Sequence, residues 1–322
     1  MKQLTPIQIK FHQMKARISG GITSLFDIWA LFIRVLASSV GIIFNISRLL
    51  KYDTKLSGEF AYNKLDKYSD GEKYNFNGIY LPYIDKTDYG NLYGLHNCIK
   101  DTFSVFLLNN DDYSSDYVDK IDKRLPEGSY CYKNDNCDIT IHNGDVVLDL
   151  GAWIGDFSAY ACHKGAIVYA FEPAAETRTL LKKTVLYNKH TQGKINIVPY
   201  AVGDENKILN FFKDMRTAQS TFLTNNENNI FTEKIEAVKL DDWVNKENIK
   251  VDFIKADIEG FERNMLKGAV NILKTQQPVL SLCTYHLPDD PKVMKDIILS
   301  SNPNYKIIQR RMKMFAYVPN LK

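Results

Sequence analysis

The sequence predicts an α/β protein, built on a mainly parallel β-sheet with helices on both faces. Two observations lead to this prediction. From Val146 onwards, short apolar runs alternate with segments of helical character. The first apolar run ends in the turn Asp149-Leu150-Gly151, directly before a helical segment. Parallel strands need such crossover helices, so the alternation is typical of repeated βαβ units.

The composition is that of an ordinary globular protein of 322 residues, long enough for one large α/β domain and additional material. The formal net charge is only +3, which gives no reason to expect nucleic acid as a partner. The five cysteines are scattered and include no C-x-x-C pair. This pattern favours reduced thiols and a cytoplasmic location over a disulfide framework or a zinc site, although Cys131 and Cys137 flank a turn and are geometrically able to pair.

Residues 1–60 are predicted to form an N-terminal helical segment. The region from Ile22 to Leu50 is rich in apolar residues with helical spacing. Its longest uncharged run, Val35 to Ser47, falls short of the roughly 20 residues that cross a bilayer. Asp27 and Arg34 would also lie at membrane depth. The open interpretations are a helix on the inner membrane surface, helices packed on the body of the protein, and an interface in a homodimer.

Residues 61–145 form a predicted accessory region. Ile99–Leu108 and Ser115–Ile121 have the character of short helices. Tyr130–Tyr132 and Asp138–Ile141 are predicted to pair as a β-hairpin around Asn134-Asp135-Asn136.

Residues 146–322 form the predicted main α/β domain. Short apolar runs predict the core strands Val146–Leu150, Ala166–Phe171, Ile195–Val198, Val251–Ala256 and Pro278–Cys283. Longer periodic segments predict the helices Phe157–His163, Ala175–Lys189, Phe261–Leu273 and Pro291–Leu299. Two further pairs of strands are expected at Ile208–Phe212 with Ile235–Lys239, and at Tyr305–Gln309 with Lys313–Tyr317.

The segment Val147–Phe157 is the first that points to a ligand. It places Gly151 and Gly155 in the turn between a strand and a helix, and Gly151 follows Asp149 by two residues. Glycines allow a ligand to approach the backbone, and helix N–H groups attract an anion. The spacing departs from the G-x-G-x-x-G of dinucleotide sites. It suits a ligand with an amino-acid end, whose carboxylate meets the turn and whose ammonium meets an acidic group.

Glu172 ends the second predicted strand, where a carboxylate can accept hydrogen bonds from both hydroxyls of a ribose. Pro173 then suits the first position of the next helix. This feature alone does not separate NAD from S-adenosylmethionine. A nicotinamide-dependent oxidoreductase therefore remains an alternative, which the spacing of Gly151 and Gly155 disfavours.

Three carboxylates, Asp257, Glu259 and Glu262, crowd the exit of the strand Val251–Ala256. Asp257 and Glu259 are candidate site residues, whereas Glu262 suits helix capping equally well. A divalent metal is an option for clustered carboxylates, but it lacks support because no histidine nearby in the sequence completes a ligand set. His286 follows the next strand exit, on the expected ligand side, where an imidazole can accept a proton from a hydroxyl.

Together these motifs resemble the FkbM-type methyltransferase family, which is of class I and depends on S-adenosylmethionine. The resemblance covers about residues 126–318, and Trp153 stands where many relatives have asparagine. The matching pieces are LDLGAWIGDFS (148–158), YAFEP (169–173), AVGD (201–204), VKLDDWV (238–244), IKADIEGFE (254–262) and TYHLPDDP (284–291).

The resemblance implies a Rossmann-like class I methyltransferase sheet of seven mainly parallel strands with an antiparallel last strand, plus the N-terminal helical extension. It implies O-methylation of a hydroxyl on a glycan or a small metabolite, as in polysaccharide biosynthesis. His286 would be the base, with Asp257 or Glu259 orienting it or the acceptor. A non-catalytic, methyltransferase-like binding module is a further alternative. The implied contacts to S-adenosylmethionine come from Asp149, Gly151, Ala152, Trp153, Gly155, Glu172, Pro173, Ala201, Val202, Asp204 and Asp257.

Overall fold

The computed structural model describes residues 62–319, apart from 64, 89–90, 93, 96–128, 215–219 and 222–228. The predicted helices within residues 22–50, and those at Ile99–Leu108 and Ser115–Ile121, lie outside the described residues. Within the described part of the chain, no helix has the length and apolar character needed to cross a bilayer. The division into segments 1–60, 61–145 and 146–322 stays a prediction.

Strands form the larger part of the described secondary structure. They are β1 (Lys73–Phe76), β2 (Ile79–Pro82), β3 (Tyr132–Asn134), β4 (Cys137–Ile139), β5 (Val146–Leu150), β6 (Ile167–Phe171), β7 (Lys194–Val198), β8 (Ala201–Gly203), β9 (Lys207–Asp214), β10 (Ser220–Thr221), β11 (Asn229–Lys239), β12 (Phe253–Ala256), β13 (Val279–Cys283), β14 (Lys306–Arg310) and β15 (Lys313–Tyr317). The helices are α1 (Asp156–His163), α2 (Ala175–Tyr187), α3 (Leu240–Glu247), α4 (Glu262–Gly268), α5 (Val270–Thr275) and α6 (Asp290–Ser301).

The central sheet has seven strands in the order β7-β6-β5-β12-β13-β15-β14. The five strands from β7 to β13 are parallel, whereas β15, the last in the chain, runs antiparallel to both β13 and β14. The expected mainly parallel, seven-stranded sheet with an antiparallel last strand is therefore confirmed. Because the parallel strands end at one edge, the turns after β5, β6, β12 and β13 lie side by side.

The two faces of this sheet bury separate apolar layers. Successive residues of a strand point to opposite faces, so Val147 packs in one layer with Phe157 and Phe253. Its neighbour Leu148 packs in the other layer, with residues such as Leu266. The near-continuous apolar runs that predicted these strands follow from burial on both sides.

The structure corrects the prediction of a single helix over Phe261–Leu273. The helix is interrupted at Ala269, which has φ −114° and ψ 15°. Directly before the break, Gly268 lies against β8, where an added Cβ would come within 1.9 Å of the carbonyl oxygen of Gly203. The helix therefore divides where its backbone meets a neighbouring strand.

The β1–β2 hairpin was not predicted. Asn77 and Gly78 join its strands, both with positive φ, as in a tight hairpin turn.

Two of the predicted strand pairs can be compared with the structure. The paired strands β9 and β11 confirm the prediction of an added strand pair, and the unpredicted strands β8 and β10 extend them to a four-stranded sheet. The hairpin predicted around Asn134-Asp135-Asn136 is present, but its strands are Tyr132–Asn134 and Cys137–Ile139 instead of Tyr130–Tyr132 and Asp138–Ile141. Cys131 and Cys137 are not joined by a disulfide.

Candidate active site

The turn after β5 contacts the turn after β12 through a glycine. Gly151 has φ +76°, and a Cβ there would lie 2.0 Å from the carbonyl oxygen of Asp257. The N–H groups of Gly151 and Ala152 both donate to the carbonyl of Phe171, at 3.1 and 2.9 Å. Glycine is therefore required for the approach of two neighbouring strand ends, in addition to any approach by a ligand.

Gly155, at the start of α1, has a similar role toward α2. It has φ +87°, and a Cβ there would lie 2.5 Å from Cδ1 of Leu181. Between the two glycines, Trp153 also has a positive φ of 49°. Its N–H donates to Oε2 of Glu172 at 3.0 Å, which joins this turn to the end of β6.

Glu172 is the carboxylate at the end of β6, and only 7% of it is exposed. Its Oε1 accepts the N–H of Ala174 at 2.8 Å, while Oε2 accepts that of Trp153. Burial raises the pKa of Glu172 to about 7, although these N–H groups oppose the shift. Each oxygen keeps a lone pair for a ligand donor. Pro173 follows directly, with its carbonyl held by Arg178.

Asp149 is buried beneath the glycine turn. Its Oδ1 lies 2.9 Å from Nζ of Lys255, and its Oδ2 accepts the hydroxyl of Ser158 at 2.6 Å. Lys255 also donates to the carbonyl of Gly151 at 2.8 Å. Burial disfavours the charge of Lys255, but Asp149 and Asp257 outweigh it and raise its pKa. Both oxygens of Asp149 thus have partners within the protein, and its contact with a ligand ammonium stays a prediction.

Asp257, at the end of β12, is an anion held by two tyrosines. Tyr130 donates to Oδ2 at 2.7 Å, and Tyr285 donates to Oδ1 at 3.1 Å. Burial alone would raise the pKa of Asp257, but the charges of His286, Lys255 and Lys313 lower it to about 2. Sequence reasoning missed Tyr130, Tyr285, Lys255 and Lys313. For the two lysines a signal was available, because Lys255 lies inside the apolar strand β12 and Lys313 begins the apolar strand β15.

His286 lies among carboxylates and is only 5% exposed. Its Nε2 is 3.4 Å from Oε2 of Glu259 and 3.6 Å from Oδ1 of Asp257, and its Nδ1 is 3.1 Å from Oε1 of Glu262. These contacts are ion pairs rather than aligned hydrogen bonds. Burial alone would lower the pKa of His286, but Glu262 and Glu259 raise it well above its ordinary value.

The fold therefore brings together the three residues that the sequence singled out for catalysis, His286, Asp257 and Glu259. It also brings a histidine to the clustered carboxylates, although none lies near them in the sequence. Asp257, Glu262 and His286 offer three possible metal-ligand atoms within 4.8 Å of one another. The same atoms form the ion pairs of a protonated His286. A divalent cation would have to displace that proton.

Ala201, Val202 and Asp204 lie on β8 and in the turn after it. Ala201 and Val202 are buried. Asp204 accepts the side-chain amide of Asn264 at 3.1 Å and lies 3.5 Å from Nζ of Lys207. Burial would raise the pKa of Asp204, but its donors and Lys207 lower it. The contact of these residues with an adenine stays a prediction.

The order of the seven strands and the antiparallel last strand define the fold of class I methyltransferases. Residues 149–306, which include the strand ends described above, match the model of the methyltransferase FkbM domain. This match identifies residues 149–306, just under half of the chain, as a methyltransferase FkbM domain.

One curated relative is the hexuronic acid methyltransferase AglP of Haloferax volcanii, which is 28% identical over 149 residues. The match covers 46% of this chain and 59% of AglP, so it spans less than two thirds of that protein. A solved FkbM methyltransferase from Methylobacillus flagellatus KT aligns at 20% identity and a TM-score of 0.47, over 80% of this chain and 58% of that chain. Aeropyrum pernix fibrillarin with natively bound S-adenosylmethionine aligns at 11% identity and a TM-score of 0.34, over 56% of this chain and 70% of that chain.

Proposed function

We propose that this chain uses S-adenosylmethionine to methylate a hydroxyl of a glycan or a small metabolite. The observation that carries the proposal is the FkbM domain over residues 149–306, because it covers the strand ends where the candidate site lies. The relationship to AglP, whose name specifies a hexuronic acid, supports a sugar acceptor.

The strand ends have the chemistry that S-adenosylmethionine requires. Glu172 is a buried carboxylate with spare acceptor capacity, and ribose hydroxyls are donors that would stabilise its anion. It is joined directly to the backbone of Trp153, in the turn expected to receive the amino-acid end. Asp257, held as an anion by Tyr130 and Tyr285, is a second carboxylate for that end.

When bound, S-adenosylmethionine supplies an electrophilic methyl on a sulfonium. The protein's own task is to position the acceptor oxygen in line with that methyl and to take its proton. We assign proton acceptance to Nε2 of His286, which faces Glu259 and Asp257. Because the pKa of His286 is raised, Nε2 must first lose a proton, and Glu259 and Asp257 then orient the ring or the acceptor hydroxyl.

Isothermal titration calorimetry tests the cofactor. S-adenosylmethionine should bind and NAD should not, and Glu172→Ala should abolish binding. Glu176→Ala is the matched control, since this glutamate is exposed in the first turn of α2. Absence of S-adenosylmethionine binding to the wild-type protein would remove the proposal.

The acceptor is tested with S-adenosylmethionine labelled in its methyl group. Transfer should be found to glycans that contain hexuronic acid, and the labelled product should carry a methyl ether. Neutral glycans, peptides and RNA form the comparison panel. Labelling of peptide or RNA alone would contradict a hydroxyl acceptor of the glycan class.

A further inference from the structure

The two ring nitrogens of His286 face different surroundings. Nδ1 lies 3.1 Å from Glu262, whose side chain is fully buried. Nε2 lies 3.4 Å from Glu259, whose side chain is 35% exposed. Both ring nitrogens are buried, but Nδ1 lies against a fully buried carboxylate and Nε2 against one that reaches solvent.

Glu262 is itself fixed in place. It is the first residue of α4, and its Oε1 accepts the N–H of Ile258 at 2.9 Å. Its Oε2 is buried and has no hydrogen-bond partner among the described residues. Oε1 of Glu262 therefore has two interactions: it caps the turn by accepting the N–H of Ile258, and it forms an ion pair with His286.

The loop that carries His286 is tied to α4 a second time. Arg263, next to Glu262, contacts Oδ1 of Asp290 through Nε and Oδ1 of Asp289 through Nη2, both at 2.5 Å. The other oxygen of Asp290 accepts the N–H of Leu287 at 2.7 Å. The position of the ring relative to α4 is therefore set by Arg263 as well as by Glu262.

We propose that Glu262 is a positioning residue for His286. It keeps the proton on Nδ1 and so leaves Nε2 to take the proton of the acceptor hydroxyl. As the oxygen–methyl bond forms and the sulfur–methyl bond breaks, this proton moves to Nε2, and the resulting imidazolium is stabilised by Glu262. The proposal rests on the proposed function and goes beyond it, because neither the family nor the strand-exit argument requires Glu262.

The charges around His286 support this arrangement. Asp257, Glu259 and Glu262 face the ring, Lys255 and Lys313 act on Asp257, and Asp290 acts on Glu262. Among the groups that raise the pKa of His286, the charge of Glu262 has the largest effect. A neutral group in its place should lower the pKa and weaken the base.

Glu262→Gln is the informative variant, because its amide oxygen can still accept the N–H of Ile258. That oxygen is also the atom that faces Nδ1 of His286, so the variant removes the negative charge beside the ring and leaves an acceptor for the Nδ1 proton. The pKa of His286, measured by NMR titration of ligand-free protein in EDTA, should fall by about one unit or more. At a pH where His286 is neutral in both proteins, turnover should fall by about tenfold or more, because the imidazolium that forms has lost its stabilising carboxylate, and the affinity for S-adenosylmethionine should be unchanged.

Two further variants complete the test. Glu247→Gln, an exposed position at the end of α3, should leave the pKa of His286 and turnover unchanged. Glu262→Asp keeps the charge but withdraws the carboxylate from Nδ1 by one methylene, so the pKa of His286 should fall measurably, though by less than in Glu262→Gln. This variant therefore reports on the same interaction if Glu262→Gln fails to fold.

The result that would overturn the proposal is a His286 pKa unaffected by either substitution in folded protein. So would a wild-type pKa that falls when Mg²⁺ or Zn²⁺ is restored after EDTA, since that outcome assigns the cluster to a metal. The titration needs no cofactor, and its result is therefore independent of S-adenosylmethionine binding.

Discussion

Lys255 and Asp149 form an ion pair of 2.9 Å, with side chains that are only 5% and 0% exposed. They are directly opposite one another on the neighbouring parallel strands β12 and β5. Lys255 also bonds to the carbonyl of Gly151, so one buried cation joins the two strand ends that form the candidate cofactor site.

Lys255→Met should therefore destabilise the protein by about 3–5 kcal/mol, because it leaves Asp149 as an unpaired buried charge. Urea unfolding measures the change. Lys250→Met, which removes an exposed lysine 3.5 Å from Asp252, should cost less than about 1 kcal/mol. The double variant Lys255→Met/Asp149→Asn should regain part of the loss. Equal effects of the two single variants would contradict the role given to the buried pair.

Gly151→Ala should destabilise the protein by about 1–2 kcal/mol for its positive φ alone, and by more because its Cβ would meet Asp257. Gly144→Ala separates the two effects, since Gly144 has φ +85° and no atom within 4 Å of an added Cβ. Both variants are compared by urea unfolding. If they prove equally stable, the contact between the turns after β5 and β12 is not tight.

Affinity for S-adenosylmethionine should depend on pH through Glu172. Its pKa is raised to about 7, so the carboxyl is protonated below that pH in the free protein. If the ribose binds the anion, Kd should increase by about tenfold per pH unit below 7 and become constant above it. Calorimetry between pH 5.5 and 8.5 tests this. Glu172→Gln should bind S-adenosylmethionine weakly, with a Kd that does not change with pH. A Kd independent of pH in the wild type would show that Glu172 does not bind the cofactor.

His286→Ala should reduce turnover by about a hundredfold or more and leave cofactor affinity near normal. The base must be neutral, so its raised pKa means that activity is lost as pH falls through a value above that of an ordinary histidine. Measurement of kcat on the acidic side of its pH profile checks this direction. The exposed His190 provides the control, since His190→Ala should leave turnover unchanged. Unaltered turnover in His286→Ala would reject the assignment.

The sheet could be predicted because its strands are buried on both faces and form apolar runs, as in Val147–Leu150. The break at Ala269 could not, because Gly268 and Ala269 resemble the interior of one helix and the contact with β8 is tertiary. The β1–β2 hairpin carried the signal Asn77-Gly78, but its backbone is held by Asn188, far along the chain.

The site also combines features that local sequence predicts with features that only tertiary contacts determine. Asp257, Glu259 and His286 follow strand exits, and a parallel sheet places such exits together, so their proximity could be predicted. Tyr130 reaches Asp257 from the hairpin region that precedes the sheet, and no local pattern indicates that contact. The role of Glu262 could not be decided from the sequence, because a carboxylate that caps a helix and one that pairs with an imidazole occupy the same kind of position. The structure shows both contacts, one with the N–H of Ile258 and one with Nδ1 of His286.

The contact between Gly268 and Gly203 has a consequence for catalysis at a distance. α4 is short, with Glu262 at one end and Gly268 at the other. A methyl group on Gly268 would meet the backbone of Gly203, and a shift of this short helix away from β8 would also move Glu262 relative to His286. Gly268→Ala should therefore change the pKa of His286, although Gly268 contacts neither the ring nor its carboxylates.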